Sequence, residues 1–339
     1  MSNITIKDIA MMAGVSYATV SRALSGSPEV SESTRERILA LCQHVGYTPN
    51  VIARSMIKKN TFSIGMILPD ISNPFFSEIA LYAEECANAN GYNIFICNSH
   101  RDPEKEQNYF QLLASRQVDG IIFHPSSASY AQREYINRMP TVILGDNLGA
   151  VAQNIVHFDN RKGAYLGTRH LIELGHRDIA LLAIKRNSIS HNIRLEGFLS
   201  AIQEAGVHYR VLDSPYSNSS IEHGYEIAKK FFMEEKKLPT AVFAITDTMA
   251  LGVIKAADEV GIRIPDDISL IGYDNITYSS LPKIMLTTVE TPKKQLGEEA
   301  VNLLIDVIQH KEERREMQEI VLQPSLMERE TCKKIAPQP

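Results

Sequence analysis

The chain has little of what marks a secreted scaffold, a membrane protein or an enzyme. Its four cysteines, Cys42, Cys86, Cys97 and Cys332, are scattered through 339 residues with no CxxC spacing. That argues against a disulfide framework or a zinc site and for buried thiols in a reducing compartment. No apolar run is long enough to span a bilayer, and no basic-then-apolar segment follows Met1. A cytoplasmic chain without membrane contact is expected. No GxGxxG follows a strand, and there is no phosphate-binding loop ending in Gly-Lys-Ser/Thr. Nor is there a GxSxG elbow, and the ten histidines include no HExxH pair. Neither catalysis nor a cofactor or metal is therefore expected. No heptad pattern follows Arg329, which speaks against a tetramerising coiled coil.

What is present is an ordinary globular composition, 44% hydrophobic and 22% charged. The net charge of −5, taken whole, argues against a nucleic-acid partner, but its distribution does not. Residues 1–60 hold seven Lys/Arg against four acids, so this stretch is +3 and the remainder −8. A basic head on an acidic body approaches phosphates with one face only. The excess is small, so binding is expected to need two heads, as in a homodimer.

The head has a readable local structure. Thr5 is an N-cap residue with Asp8 three positions on, as in a capping box. Ile6, Ile9, Ala10 and Ala13 follow helical spacing, and Gly14 suits the left-handed position that ends a helix. Ser16 then caps a second helix that buries Val20 and Leu24. Two short helices joined through a glycine turn predict a helix-turn-helix, whose second helix enters the major groove.

The runs "TIKDIAMMAGVSYATVSRALSG" and "VSESTRERILALCQHVGYTPNVIARSM" resemble the amino-terminal domain of LacI/GalR-type bacterial repressors, almost without interruption from Thr5 to Met56. The resemblance places Tyr17, Ala18 and Arg22 against base edges. Arg22 suits a bidentate contact to guanine, and Ala18 a thymine methyl. Thr5, Ser16, Thr19 and Ser21 suit phosphate oxygens, with Arg35 as an addition. In residues 49–60, Asn50 caps a helix too short to be stable alone, which is expected to fold on DNA. Two such helices would wedge apolar side chains into the minor groove. Met56 stands where the family places leucine, and Ala53 permits close approach.

After Thr61, short apolar runs alternate with amphipathic stretches, the pattern of parallel sheets covered by helices. The expected fold class is therefore α/β: a helix-turn-helix domain over 1–48, a hinge helix over 49–60, and a two-lobed core over 61–330. The resemblance implies a core like the periplasmic sugar-binding proteins, of doubly wound parallel sheets, with three crossings between lobes. The crossings are expected near Asp159, Glu290 and Gln323. That gives a first lobe of about 61–159 and 291–322, and a second of about 160–289 and 323–330. Residues 331–339 are expected to form a frayed tail.

Ligands of open α/β sheets sit beyond the carboxyl ends of the strands. Asn73, Phe75 and Phe76 follow the first apolar run, Arg194 a later loop, and Asp247 and Asp274 two more runs. Carboxylates with a guanidinium beside aromatic rings suit a small polyol. "DISNPFF", "RLEGF", "ITDTMALG" and "LIGYDN" resemble effector-lobe motifs of the same family, which implies effector contact for these six residues. Ser188, Ser190 and Tyr216 are further candidates. The chain departs from the family at "LGDN", where Gly145 takes the usual aspartate position and Asp146 follows.

The expected function is a transcription regulator, a repressor of a carbohydrate-utilisation operon. It would bind a near-palindromic operator as a homodimer under control of a small effector, a sugar, and would lie on the nucleoid when so bound. An alternative within this class is a global catabolite regulator whose effector is a phosphoprotein. A sugar-binding transport receptor would share the core but not the head.

Overall fold

A computed structural model of the chain describes residues 4–24, 27–47, 60–126, 136, 138–146, 154–184, 189–216, 218–310 and 316–336. The chain divides into two compact units, Met1–Thr61 and Phe62–Pro339.

The first unit is built from α1 (Ile6–Ala13), α2 (Tyr17–Leu24) and α3 (Glu32–His44). Thr5 and Asp8 form the reciprocal capping box, and Gly14 turns the chain at φ 63°. The amide of Thr19 donates to Ser16 Oγ at 3.1 Å, which starts α2. Ile9, Val20 and Ile38 are fully buried and pack with Ala10, Ala23, Val30 and Cys42. The expected hinge residues Asn50, Ala53 and Met56 lie outside the described residues.

The second unit holds two six-stranded sheets. The first sheet comprises β1 (Ser63–Leu68), β2 (Asn93–Asn98), β3 (Gly120–Phe123), β4 (Thr141–Leu144), β5 (Asn154–Phe158) and β11 (Glu319–Leu322). They run in the order β11-β5-β4-β3-β1-β2, all parallel. Helices α4 (Pro74–Ala89), α5 (Pro103–Ser115) and α10 (Lys293–Gln309) cover it. The second sheet comprises β6 (Asp178–Ile184), β7 (His208–Ser214), β8 (Ala241–Ala244), β9 (Ser269–Asp274), β10 (Thr287–Glu290) and β12 (Ser325–Met327). Their order is β12-β10-β9-β8-β6-β7, with β12 antiparallel to β10. With it go α6 (Asn160–Glu173), α7 (Ile189–Ala205), α8 (Ile221–Glu234) and α9 (Asp247–Val260). The chain passes between the sheets after Phe158, between Glu290 and Lys293, and between Leu322 and Ser325.

Periodicity does not reveal β7, β10, β11 and β12. Strand β7 is a polar edge. In β10, Thr287 and Thr288 are fully buried, and their hydroxyls are satisfied. Thr288 Oγ1 donates to Asp247 Oδ1 at 2.5 Å and Thr287 Oγ1 accepts from the Arg329 amide at 3.0 Å. Satisfied hydroxyls remove the need for an apolar run.

The expected frayed tail is corrected for residues 331–336. The amide of Leu270 donates to Thr331 O at 2.7 Å, the amide of Thr287 to Thr331 Oγ1 at 2.8 Å, and the amide of Ile335 to Leu174 O at 2.9 Å. Backbone and hydroxyl groups of the second lobe are completed by this segment, so it cannot leave without orphaning buried donors.

Helices α8 and α9 touch backbone to backbone. A Cβ added at Gly252 would lie 2.2 Å from Ile221 O and 2.4 Å from Tyr225 N. Gly252→Ala is expected to cost about 1–3 kcal/mol through forced separation. Thermal denaturation checks this; an unchanged melting temperature would mean the helices part freely.

Candidate functional site

In the second unit a cleft lies beyond the carboxyl ends of strands from both sheets. Its first wall begins where β1 ends. Asn73 caps α4, its Oδ1 accepting from the Phe75 amide at 3.0 Å, with Pro74 at the first helical position. That cap sets Phe75 and Phe76 into the cleft. Both rings are also core. They meet edge-on at 5.0 Å; Phe75 meets Phe158 at 6.1 Å and Phe76 meets His124 at 5.0 Å. Arg101, from the loop after β2, and Gly145, after β4, complete this wall. Gly145 holds φ +114°, a conformation that favours glycine.

The second wall centres on Arg194, a buried residue of α7. Its guanidinium is held by the chain on each of its three nitrogens, two through hydrogen bonds and one facing a carboxylate. Nε donates to Asn160 Oδ1 and Nη1 to Ile245 O, both at 2.9 Å. Nη2 lies 3.1 Å from Asp274 Oδ1, and the group stacks on Tyr273 at 3.7 Å. Asp274 ends β9 at φ +112°. Burial pushes its carboxyl up to about 7, with Arg194 opposing. Asn160, Ser190, His191, Ser219 and Thr246 line the same space.

Of the six expected effector residues, the cleft brings together Asn73, Phe75, Phe76, Arg194 and Asp274. Asp247 is a correction. It is fully buried and accepts from the Ile276 amide at 3.0 Å, Ser279 Oγ at 2.6 Å and Thr288 Oγ1 at 2.5 Å. Its carboxylate ties β10 and the segment after β9 to the start of α9, and the helix cap itself is Thr246. Asp146 does not replace the missing aspartate at the cleft surface. Asn160 Nδ2 donates to its two oxygens at 3.2 and 3.0 Å, and His157 Nδ1 lies 3.4 Å away. Burial opposes its charge, but hydrogen bonds from His157, Ser190 and Asn160 outweigh it and hold the carboxyl below its ordinary value. A relay therefore runs from Asp146 through Asn160 to Arg194. Tyr216 stacks on His223 at 3.7 Å and lines a different depression; Ser188 lies outside the described residues.

Sequence reading overlooked Arg101, His124, Phe158, Asn160 and His191. The strand-end rule covers four of them: Arg101 follows β2, His124 follows β3, Phe158 ends β5 and Asn160 follows it. Among the described residues, no group of three or more His, Cys, Asp or Glu could hold a metal. Nor is any helix there long and apolar enough to cross a membrane.

In the first unit, Tyr17, Ala18 and Arg22 are exposed on α2, opposite buried Val20 and Ala23. Thr5 and Ser16 are exposed, and Thr19 and Ser21 half-buried. Arg35 is otherwise occupied, donating to Ser27 O at 2.7 Å and to Glu32 at 2.9 Å. Arg22 Nε lies 3.0 Å from Glu29, with both side chains more than half exposed. Such a pair is weak and easily exchanged for another acceptor. Arg22→Ala is expected to lose roughly 1–3 kcal/mol on an operator that presents a guanine to it, and much less on random DNA. An equal loss on both would make Arg22 a phosphate contact only.

Comparisons with known proteins give the family. Residues 61–329 match the family "Periplasmic binding proteins and sugar binding domain of LacI family", and residues 5–50 match "Bacterial regulatory proteins, lacI family". The HTH-type transcriptional repressor PurR of Haemophilus influenzae (strain PittEE) is 37% identical over 340 residues, spanning 98% of this chain and 99% of the relative. Among solved structures, the lac repressor dimer bound to operator and the anti-inducer ONPF superposes with a TM-score of 0.85 at 28% identity. The match covers 98% of this chain and 100% of that one. A LacI family transcriptional regulator from Enterococcus faecium with bound ribose gives 0.72 at 30% identity, covering 81% and 100%.

Proposed function

The chain belongs to the LacI family of bacterial regulatory proteins, as a DNA-binding repressor under small-molecule control, and from that premise we propose that its effector is a small polyhydroxylated molecule and its target a carbohydrate-utilisation operon. One observation carries the reading: the cleft sets the apolar rings of Phe75, Phe76 and Phe158 opposite the polar groups of Asn160, Arg194 and Asp274. Rings cover the C–H face of a sugar, and the carboxylate and amides bond its hydroxyls. The ribose in the E. faecium regulator supports the same class. The effector bridges the lobes and changes their relative orientation. A few kcal/mol of differential affinity then suffices to alter operator occupancy.

The working form in this reading is a cytoplasmic homodimer, bound to the nucleoid at a near-palindromic operator. Edge strand β2 leaves Phe95 51% and Ile96 48% exposed, and neighbouring α4 leaves Leu81 53% exposed. An uncovered apolar edge of this kind favours pairing with a second copy. Titrating operator with the full chain tests the reading. Cooperative binding by a dimer is expected, with a log–log salt slope of about −0.9 per neutralised phosphate, and its affinity should shift when one member of a sugar panel is added. Monomer binding to a single half-site would reject the dimer. No response to any sugar, with a response to another small-molecule class, would reject the polyol.

A further inference from the structure

Arg101 is the unspent charge of the cleft. His100 and Arg101 hold successive left-handed conformations, at φ 54° and 60°. Non-glycine residues adopt these at a cost, and they persist where the surroundings or a function require them. Among the described residues the guanidinium makes no hydrogen bond or ion pair, and its Nε is sealed from solvent without a partner. The Phe76 ring lies 5.8 Å from it. Arg194, on the opposite wall, donates hydrogen bonds from Nε and Nη1 and faces Asp274 with Nη2.

The one acid that acts on Arg101 is Asp70, at a distance and without a hydrogen bond or ion pair among the described residues, and burial outweighs it. His124 and His191, both half-buried, line the same cleft, and desolvation, first of all, lowers both imidazoles, His124 to about 4 and His191 well below its ordinary value. Both are neutral near pH 7. His191 Nδ1 is also buried with no partner. A mostly buried, unpaired guanidinium is costly, and a fold retains one where an anion completes it.

We propose that the effector carries a carboxylate, bound by the fork of Arg101 with His191 Nδ1 as a further donor, so that it is a polyhydroxylated acid and not a neutral sugar. The inference rests on reading the cleft as a polyol site. A carboxylate fits better than a phosphate for two reasons. Its two oxygens match the planar fork of one arginine. A phosphate dianion needs a second free cation, and Arg194 is already held by Asn160, Ile245 and Asp274.

The test uses the full chain and the variants Arg101→Gln and Arg101→Lys. Melting temperature is followed in rising acetate, phosphate and chloride at constant ionic strength. Operator binding is then measured with neutral sugars and their matching aldonic and uronic acids. Acetate should stabilise wild type above chloride and phosphate, stabilise Arg101→Lys partly, and not stabilise Arg101→Gln. Without added anion, Arg101→Gln should melt no lower than wild type, because it removes an unpaired charge. The effective acid should act at least tenfold more tightly than its neutral sugar, and Arg101→Gln should erase that difference. Equal acetate responses in wild type and Arg101→Gln, or a larger response to phosphate, would overturn the proposal. If neutral sugars work and acetate acts without Arg101, the carboxylate site fails and the polyol reading stands. If acetate needs Arg101 but no sugar or sugar acid acts, the polyol reading fails and the anion site stands.

Discussion

Asp247→Ala should unfold or severely destabilise the second lobe. The Ile276 amide and the Ser279 and Thr288 hydroxyls all donate to this one fully buried carboxylate. Removing it leaves three buried donors unsatisfied. At about 1–3 kcal/mol for each, the loss is roughly 3 kcal/mol or more. The backbone around it is built for the carboxylate: a Cβ at Gly272 would lie 2.1 Å from Asp247 Oδ1. Chemical denaturation of the variant measures the loss. A stable variant with a weakened effector response would return Asp247 to the ligand site.

Asp274→Asn should do the opposite: the protein folds, binds operator without effector as wild type does, and no longer responds. Arg194 keeps its bonds to Asn160 and Ile245 and its stack on Tyr273, so the second wall stands. The charge that would accept from effector hydroxyls is gone, and the new amide turns donors toward Arg194. Losing a charge-assisted bond of about 1.5–3 kcal/mol weakens the effector by roughly 10- to 100-fold. The pair of operator affinities, with and without effector, decides this; a full wild-type response would place the pocket elsewhere. The variant also carries a pH signature. The folded carboxyl of Asp274 titrates near 7, above its ordinary value of about 3.9, because of burial. Its contribution to stability is therefore complete below about pH 4 and is lost as the pH rises through 7. Stability between pH 5 and 8 should fall less steeply in Asp274→Asn than in wild type.

These two aspartates show how far the sequence reaches. Each follows an apolar run, and each matches a family motif. Nothing local separates them, because the difference lies in distant partners, 29 to 41 residues away for Asp247 and 80 for Asp274. The same holds for Arg194. Its place on a helix after a strand is legible, but its engagement by Asn160, Ile245 and Asp274 is a product of packing. Arg101 was overlooked for a related reason. In "NSHRDPEKE" an arginine beside acids reads as a surface ion pair, and only the folded loop turns it from those acids into the cleft.

What the sequence by itself determined is whatever short-range chemistry specifies. The capping box at Thr5 and Asp8, the left-handed Gly14, and the 3.6- and 2-residue periodicities depend on neighbours within a few positions. They were sufficient for the helix-turn-helix, for most strands and helices, and for the alternation that implies doubly wound sheets. The tertiary structure decided what long-range contacts specify. Strands β10 and β12, the docking of residues 331–336, the division of labour between Asp247 and Asp274, and the isolation of Arg101 all depend on which distant donors find which acceptors. A buried polar group takes its role from the partner that satisfies it, and that partner is set by the fold and not by sequence separation.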